Sequence, residues 1–153
     1  MSERATPPNP TNDVRRKVAD AQIELRKVDR ELGRLNWDLA RELITLAEQT
    51  GDHDTLIEAV EALRSATRYY TFEDAPRDHA RIQQAIADTL LAFGRKTMDG
   101  TALGSARDAY RGAITLASLL SDEALRDALR VNYKETLDLL GELPRTAPLF
   151  RVA

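Results

Sequence analysis

The chain is 153 residues long, enough for one domain with its own core. With 42% apolar residues it sits among folded globules, and 22 basic against 25 acidic residues leave no basic excess of the kind that marks a dedicated nucleic-acid binder. It contains no cysteine, which excludes disulfides, thiolate chemistry and Cys-based metal sites.

Residues Met1 to Asn12 carry Pro7, Pro8 and Pro10 among small polar neighbours, and residues 1–12 read as a disordered tail. Thr11, Asn12 or Asp13 is expected to cap the helix that follows. From Val14 the apolar residues Val14, Val18, Ala21, Leu25, Val28, Leu32, Leu35 and Leu39 alternate in steps of four and three, a heptad stripe. No proline interrupts the run to Gln49, so one helix of about 36 residues, roughly 54 Å, is predicted, with Gly33 weakening it and Gly51 ending it.

A second helix is predicted from Asp54 to Tyr70, with Leu56, Ala59, Val60, Leu63 and Ala66 on one face. Pro76 opens a third, carrying Ile82, Ile86, Leu90 and Leu91 and ending near Gly94. A fourth follows Asp99-Gly100 through Leu103, Ala106, Tyr110 and Ala113. A fifth, capped at Ser121, runs through Leu125, Leu129, Tyr133 and Leu137 to about Gly141. No stretch alternates with period two, so the fold class is all-α: a helical domain over residues 13–142, with 13–34 as the heptad extension of the first helix and 143–153 as a C-terminal tail.

Sliding the chain over itself by 47 residues places 35–70 on 82–117 with nine of 36 positions identical. Small residues match small: Ala40/Ala87, Ala59/Ala106, Ala66/Ala113. Such positions are where neighbouring helices approach closely, and a repeated helix pair places them by geometry. The fifth helix continues the register through Ile82/Leu129, Ile86/Tyr133 and Leu90/Leu137.

This pattern resembles the tetratricopeptide repeat, in a long variant of about 47 residues instead of 34. Within Asp78–Ala113, Ile86-Ala87, Leu90 and Gly94 match the first-helix signature, and Ala106, Tyr110 and Ala113 the second. The first unit departs from it with Ala47 for Gly and Leu63 for an aromatic residue. The resemblance spans Leu35 to Glu142. It implies five antiparallel helices in hairpins, a concave groove lined by the first helix of each pair, no enzymatic activity, no cofactor and a protein partner. Groove positions carried over from the family are Arg34, Trp37, Arg41 and Thr45 in the first unit, and Arg81, Gln84, Asp88 and Ala92 in the second. Where the family's chaperone-type members place groove Asn residues, this chain has Asp38 and Ala85, and Arg41 and Asp88, so a carboxylate clamp is not expected.

The stripe from Val14 to Leu32 has no counterpart in the repeat. The remaining helices leave its N-terminal part hard to cover, so Val14, Val18, Ala21, Leu25, Val28 and Leu32 are expected to pair with a second copy or a partner helix. The expected function is therefore an interaction adaptor or assembly subunit, the alternatives being a self-assembling structural bundle or a nucleic-acid regulator using basic residues of the first helix. No apolar run reaches membrane-spanning length and no signal core is present, so a cytoplasmic protein is expected. Arg outnumbers Lys 18 to 4, a hint of a GC-rich bacterial genome. Asp52-His53-Asp54 reads as a capping turn rather than an acid–base or metal site, Tyr69, Tyr70 and Phe72 as a cover for the core, and Leu149, Phe150 and Val152 as a docking or linear motif.

Overall fold

The computed structural model describes residues 9–144. They form five α-helices and, among the described residues, no strand: α1 (Pro10–Thr50), α2 (His53–Ala66), α3 (Pro76–Thr97), α4 (Gly100–Leu119) and α5 (Glu123–Glu142). Each helix packs on the next in sequence, and α3 also touches α5.

Local chemistry explains the ends, and in several places moves them from where periodicity puts them. α1 starts four residues before Val14. The Asn9 side chain accepts from the Thr11 N–H at 3.1 Å and Pro10 supplies a pre-set first turn, so Asn9 is the cap rather than Thr11, Asn12 or Asp13. Residues 10–12 of the expected tail are thus helical, while 1–8 lie outside the described residues. So do 145–153, with Leu149, Phe150 and Val152. α2 ends at Ala66, four residues short of Tyr70: the Tyr69 and Tyr70 amides both bond back to the Ala66 carbonyl, and the Tyr69 Cβ and the Tyr70 ring come close to Gly33 on α1. α3 runs past Gly94 to Thr97, because Gly94 is an internal contact point. At α5 the cap is Asp122, whose carboxylate accepts from the Leu125 N–H at 3.0 Å, while Ser121 lies in the preceding turn at φ 53°.

Two buried clusters form the core. Ala40 on α1, Val60, Ala62, Leu63 and Ala66 on α2, and Ile82 and Ile86 on α3 make the first. Ala87 and Leu91 on α3, Leu103, Ala106 and Tyr110 on α4, and Leu129 on α5 belong to the second. Leu90 and Ala109 pack against both, so α3 and α4 carry the continuity of the core.

The 47-residue offset reappears in the folded chain. α1 ends at Thr50 and α3 at Thr97; Asp52 caps α2 and Asp99 caps α4; Ala40/Ala87, Ala59/Ala106, Ala66/Ala113 and Leu63/Tyr110 are all fully buried. One further step of 47 pairs Thr89 with Thr136, both buried and both donating to the carbonyl four residues back.

Glycines mark two close approaches. A Cβ on Gly94 would lie 2.6 Å from Leu103 side-chain carbons, and one on Gly33 would lie 2.8 Å from both Tyr69 Cβ and Tyr70 Cε2. Gly33 is therefore a packing site and not merely a weak spot in α1. Gly51 is different: its φ of 70° closes α1 through a bond from its N–H to the Ala47 carbonyl, and a Cβ there would meet only Lys96 Nζ at 3.7 Å. Gly51→Ala is expected to cost about 1 kcal/mol through backbone strain alone. Urea unfolding checks this, and an unshifted midpoint would show that the α1–α2 turn relaxes at no cost.

Candidate functional site

α1 holds the fold with one face and leaves another bare. The residues it turns toward its neighbours are Gly33, Ala40 and Ala47, all buried and seven apart, with Trp37 and Ile44 between them. The heptad stripe lies about 120° around the same helix, counting 3.6 residues per turn. Every member of it is exposed: Val14 59%, Val18 51%, Leu25 61%, Val28 53%, Leu32 39%, Leu35 49% and Leu39 52%, with Ala21 exposed as well. Residues 9–28 are exposed throughout, so the first half of α1 projects beyond the other helices. A contiguous apolar surface of this length, from Val14 to Leu39, is unusual on a single folded chain.

Charges flank the stripe and hold one another along the helix. Arg34 grips Glu31 through both Nε (3.1 Å) and Nη2 (2.5 Å) and reaches Asp38 at 2.9 Å. The Arg34 hydrogen bond holds the Glu31 carboxyl below its usual range, and Glu31 in turn raises the guanidinium. Lys27 bonds Glu24 at 3.0 Å and Lys17 pairs with Asp13 at 3.5 Å. Water screens pairs as exposed as these, so each adds only slightly to the stability of the projecting helix.

The family-derived groove residues are not brought together into one hollow. An apolar hollow of about 210 Å³ does lie between α1 and α3, but its walls are Ile44, Ala47, Leu56, Thr89, Ala92 and Phe93, with Glu48 and Lys96 at the rim. Ala92 is the single position anticipated by the resemblance that lines it. Trp37 is half-buried, edge-on to Tyr70 at 5.8 Å between centroids, and carries the Arg41 guanidinium 5.2 Å over its ring. Thr45 donates to the Arg41 carbonyl, Arg81 is exposed, and Gln84 is half-buried.

Asp88 is engaged in a hydrogen-bond node of the fold. Its Oδ1 accepts from the Tyr110 hydroxyl and from Asn132 Nδ2 at 3.1 Å, tying α3 to α4 and α5. Burial is the main cause that pushes the Tyr110 phenol far above its ordinary range, and the bond to Asp88 adds to it. Sequence reasoning missed this node, although a signal existed. At the 47-residue offset Leu63 becomes Tyr110 and Arg41 becomes Asp88, and a buried Tyr needs an acceptor.

The expected capping turn is present. Asp52 accepts from the Asp54 N–H and from the Thr55 hydroxyl, and the latter is the main reason its carboxyl is held below the usual range. His53 packs on Phe93 with ring centroids 4.7 Å apart. Tyr70 packs on Trp37 and, mainly through burial, has its phenol raised, while Phe72 meets His79 at 6.3 Å. Among the described residues no helix is long and apolar enough to cross a membrane, and no three His, Asp or Glu converge as metal ligands.

No family model, curated protein or solved structure matches the chain.

Proposed function

We propose that this chain is a non-enzymatic interaction protein, an assembly subunit built on tetratricopeptide-like helical hairpins, which engages other polypeptides through the bare face of α1. The observation that carries this reading is the uncovered heptad stripe, eight apolar positions from Val14 to Leu39 on the face that α1 does not use to hold α2. Hydrophobic surface costs free energy in water in proportion to its area, at roughly 25 cal/mol per Å², so covering the stripe is the largest gain this surface offers. Repetition of caps, helix ends and buried alanines at the 47-residue offset supports the repeat assignment. Polar flanks already neutralised along the helix suit a surface that closes on an apolar partner face.

The test is affinity capture from the source cell with three forms of the chain. Leu25→Asp with Leu32→Asp is expected to reduce capture of specific polypeptides, further copies of the chain included, by roughly tenfold or more with helical content preserved. Ala92→Glu, which charges the hollow between α1 and α3, separates a groove contribution from a stripe contribution. Capture that survives both variants would refute the interaction surfaces named here.

A further inference from the structure

Resting on that reading, we infer that the occupant of the α1 stripe is a second copy of this chain, laid antiparallel so that Val14 meets Leu39 of the other copy. The stripe is graded in size: its first half is Val14, Val18, Ala21 and Leu25, its second Val28, Leu32, Leu35 and Leu39. Running two copies in opposite directions about a point between Leu25 and Val28 gives the layers Val14–Leu39, Val18–Leu35, Ala21–Leu32 and Leu25–Val28, each repeated by symmetry. Every layer joins one Leu to one smaller residue, so the seam keeps a more even thickness than a parallel pair does. A parallel, in-register pair does the opposite. It stacks Val on Val and Ala on Ala at one end and Leu on Leu at the other. It also sets Glu42, the next position in the heptad frame, against its own copy in the seam.

The flanking charges are compatible with this direction. In the antiparallel register Lys17 comes beside Asp38 of the other copy at both ends, each already paired within its own helix, with Asp13 and Arg34, and Arg15 and Gln22 face the uncharged Asn36 and the acceptor Asp29. Glu24 approaches Glu31 of the other copy, but both carboxylates are already held within their own helix, by Lys27 and Arg34. In the parallel register Glu24 faces Asp29 and no opposite-charge pair forms across the seam. Sliding the antiparallel pair by one heptad, to put Val14 against Leu32, improves the charges yet replaces Leu39 with Thr11 in the seam. An exposed ion pair contributes less than covering a half-exposed Leu, so the register that covers all eight positions wins.

Geometry and area permit the arrangement. The stripe lies about a third of a turn from the face that holds α2, and even beside the other helices Leu32, Leu35 and Leu39 remain exposed, so the fold leaves the stripe open to a second helix. The bodies formed by α2–α5 then sit at opposite ends of a rod of paired α1 helices, about 38 Å of contact from Val14 to Leu39 at 1.5 Å per residue. Eight stripe side chains from each copy, plus the stems of their charged neighbours, cover on the order of 1,200 Å² or more, the lower edge of stable interfaces.

The chain has no cysteine, so single cysteines report the register without background. Val18→Cys and Leu35→Cys are prepared separately in the full chain, mixed or kept apart, and oxidised. Light scattering is expected to give twice the chain mass. Each variant alone is expected to remain uncross-linked, because its two thiols lie about 25 Å apart along the rod (17 residues at 1.5 Å). The equimolar mixture is expected to yield the cross-linked dimer. Cross-linking of Val18→Cys by itself would overturn the antiparallel register. A monomeric mass at tens of micromolar would overturn pairing with a second copy. If that monomer still captures a foreign polypeptide, and Leu25→Asp with Leu32→Asp abolishes the capture, the stripe belongs to another protein's helix and the broader interaction reading stands. Loss of both results removes both readings.

Discussion

Asp88→Ala is expected to lower the stability of the fold by about 2–4 kcal/mol, although Asp88 is only half-buried. The cost falls on what the carboxylate leaves behind. Tyr110 is fully buried, and without Asp88 its hydroxyl is left with a donor and no acceptor in the core. Asn132 Nδ2 loses the same oxygen. Tyr110→Phe is expected to cost less, about 1 kcal/mol, because Asp88 keeps Asn132 and part of its exposure. Adding Tyr110→Phe to Asp88→Ala should therefore restore part of the loss. Chemical unfolding of the two single variants and the double variant measures the coupling, and strict additivity would show that the hydroxyl does not depend on the carboxylate.

The same node is expected to weaken the fold at alkaline pH. A phenol in the unfolded chain ionises near pH 10, whereas Tyr110 in the folded chain holds its proton well beyond that. Below pH 10 both states are protonated, and the full stability is present. Above it the unfolded state releases a proton that the folded state retains, so stability is lost at about 1.4 kcal/mol per pH unit until the folded phenol ionises. Comparing Tyr110→Phe with the parent between pH 9 and 11.5 isolates this from the titration of Lys and other Tyr. Parallel curves for the two proteins would place the alkaline loss elsewhere.

Leu103→Ala is expected to destabilise by about 3–5 kcal/mol, the upper part of the range for buried leucines. Leu103 is fully buried and lies on Gly94, which has no side chain to move into the space vacated. Its counterpart 47 residues earlier, Leu56, is half-buried and borders the hollow between α1 and α3. Leu56→Ala is accordingly expected to cost about half as much. Gly94→Ala alone is expected to cost about 1–3 kcal/mol by overpacking, since its new methyl would press on Leu103. Combined with Leu103→Ala it should fill part of the hole, so the double variant is expected to be more stable than the sum of the two losses. Equal costs at Leu56 and Leu103 would mean that the two units are packed alike despite their different exposure.

Much of the architecture is legible from local rules. The existence and order of the five helices follow from the 3–4 spacing of apolar residues, from Pro76, and from the Asp and Gly residues that punctuate the chain. The 47-residue offset also survives into the packed helices, because caps and close helix crossings depend on residue types that sequence displays directly. The ends were less legible. Asn9 outranks Thr11 to Asp13 as a cap because Pro10 follows it, and α2 stops at Ala66 because Tyr69 and Tyr70 are drawn onto Gly33.

What the chain's sequence determined by itself is a set of amphipathic helices, a graded heptad stripe and a self-similarity at an offset of 47 residues, since each is a matter of period and side-chain size along one run of residues. Only the tertiary structure decided which face of α1 is used. Two faces of that helix are suitable for burial, one lined with Gly33, Ala40 and Ala47 and one with the larger Val and Leu, and periodicity assigns neither to the core. The small face permits the closer approach, so α2 and the Tyr69–Tyr70 turn settle there, and the larger face remains exposed. Tertiary packing likewise turned Asp88 inward, because a hydroxyl brought by another helix needs an acceptor that no local pattern of α3 reveals.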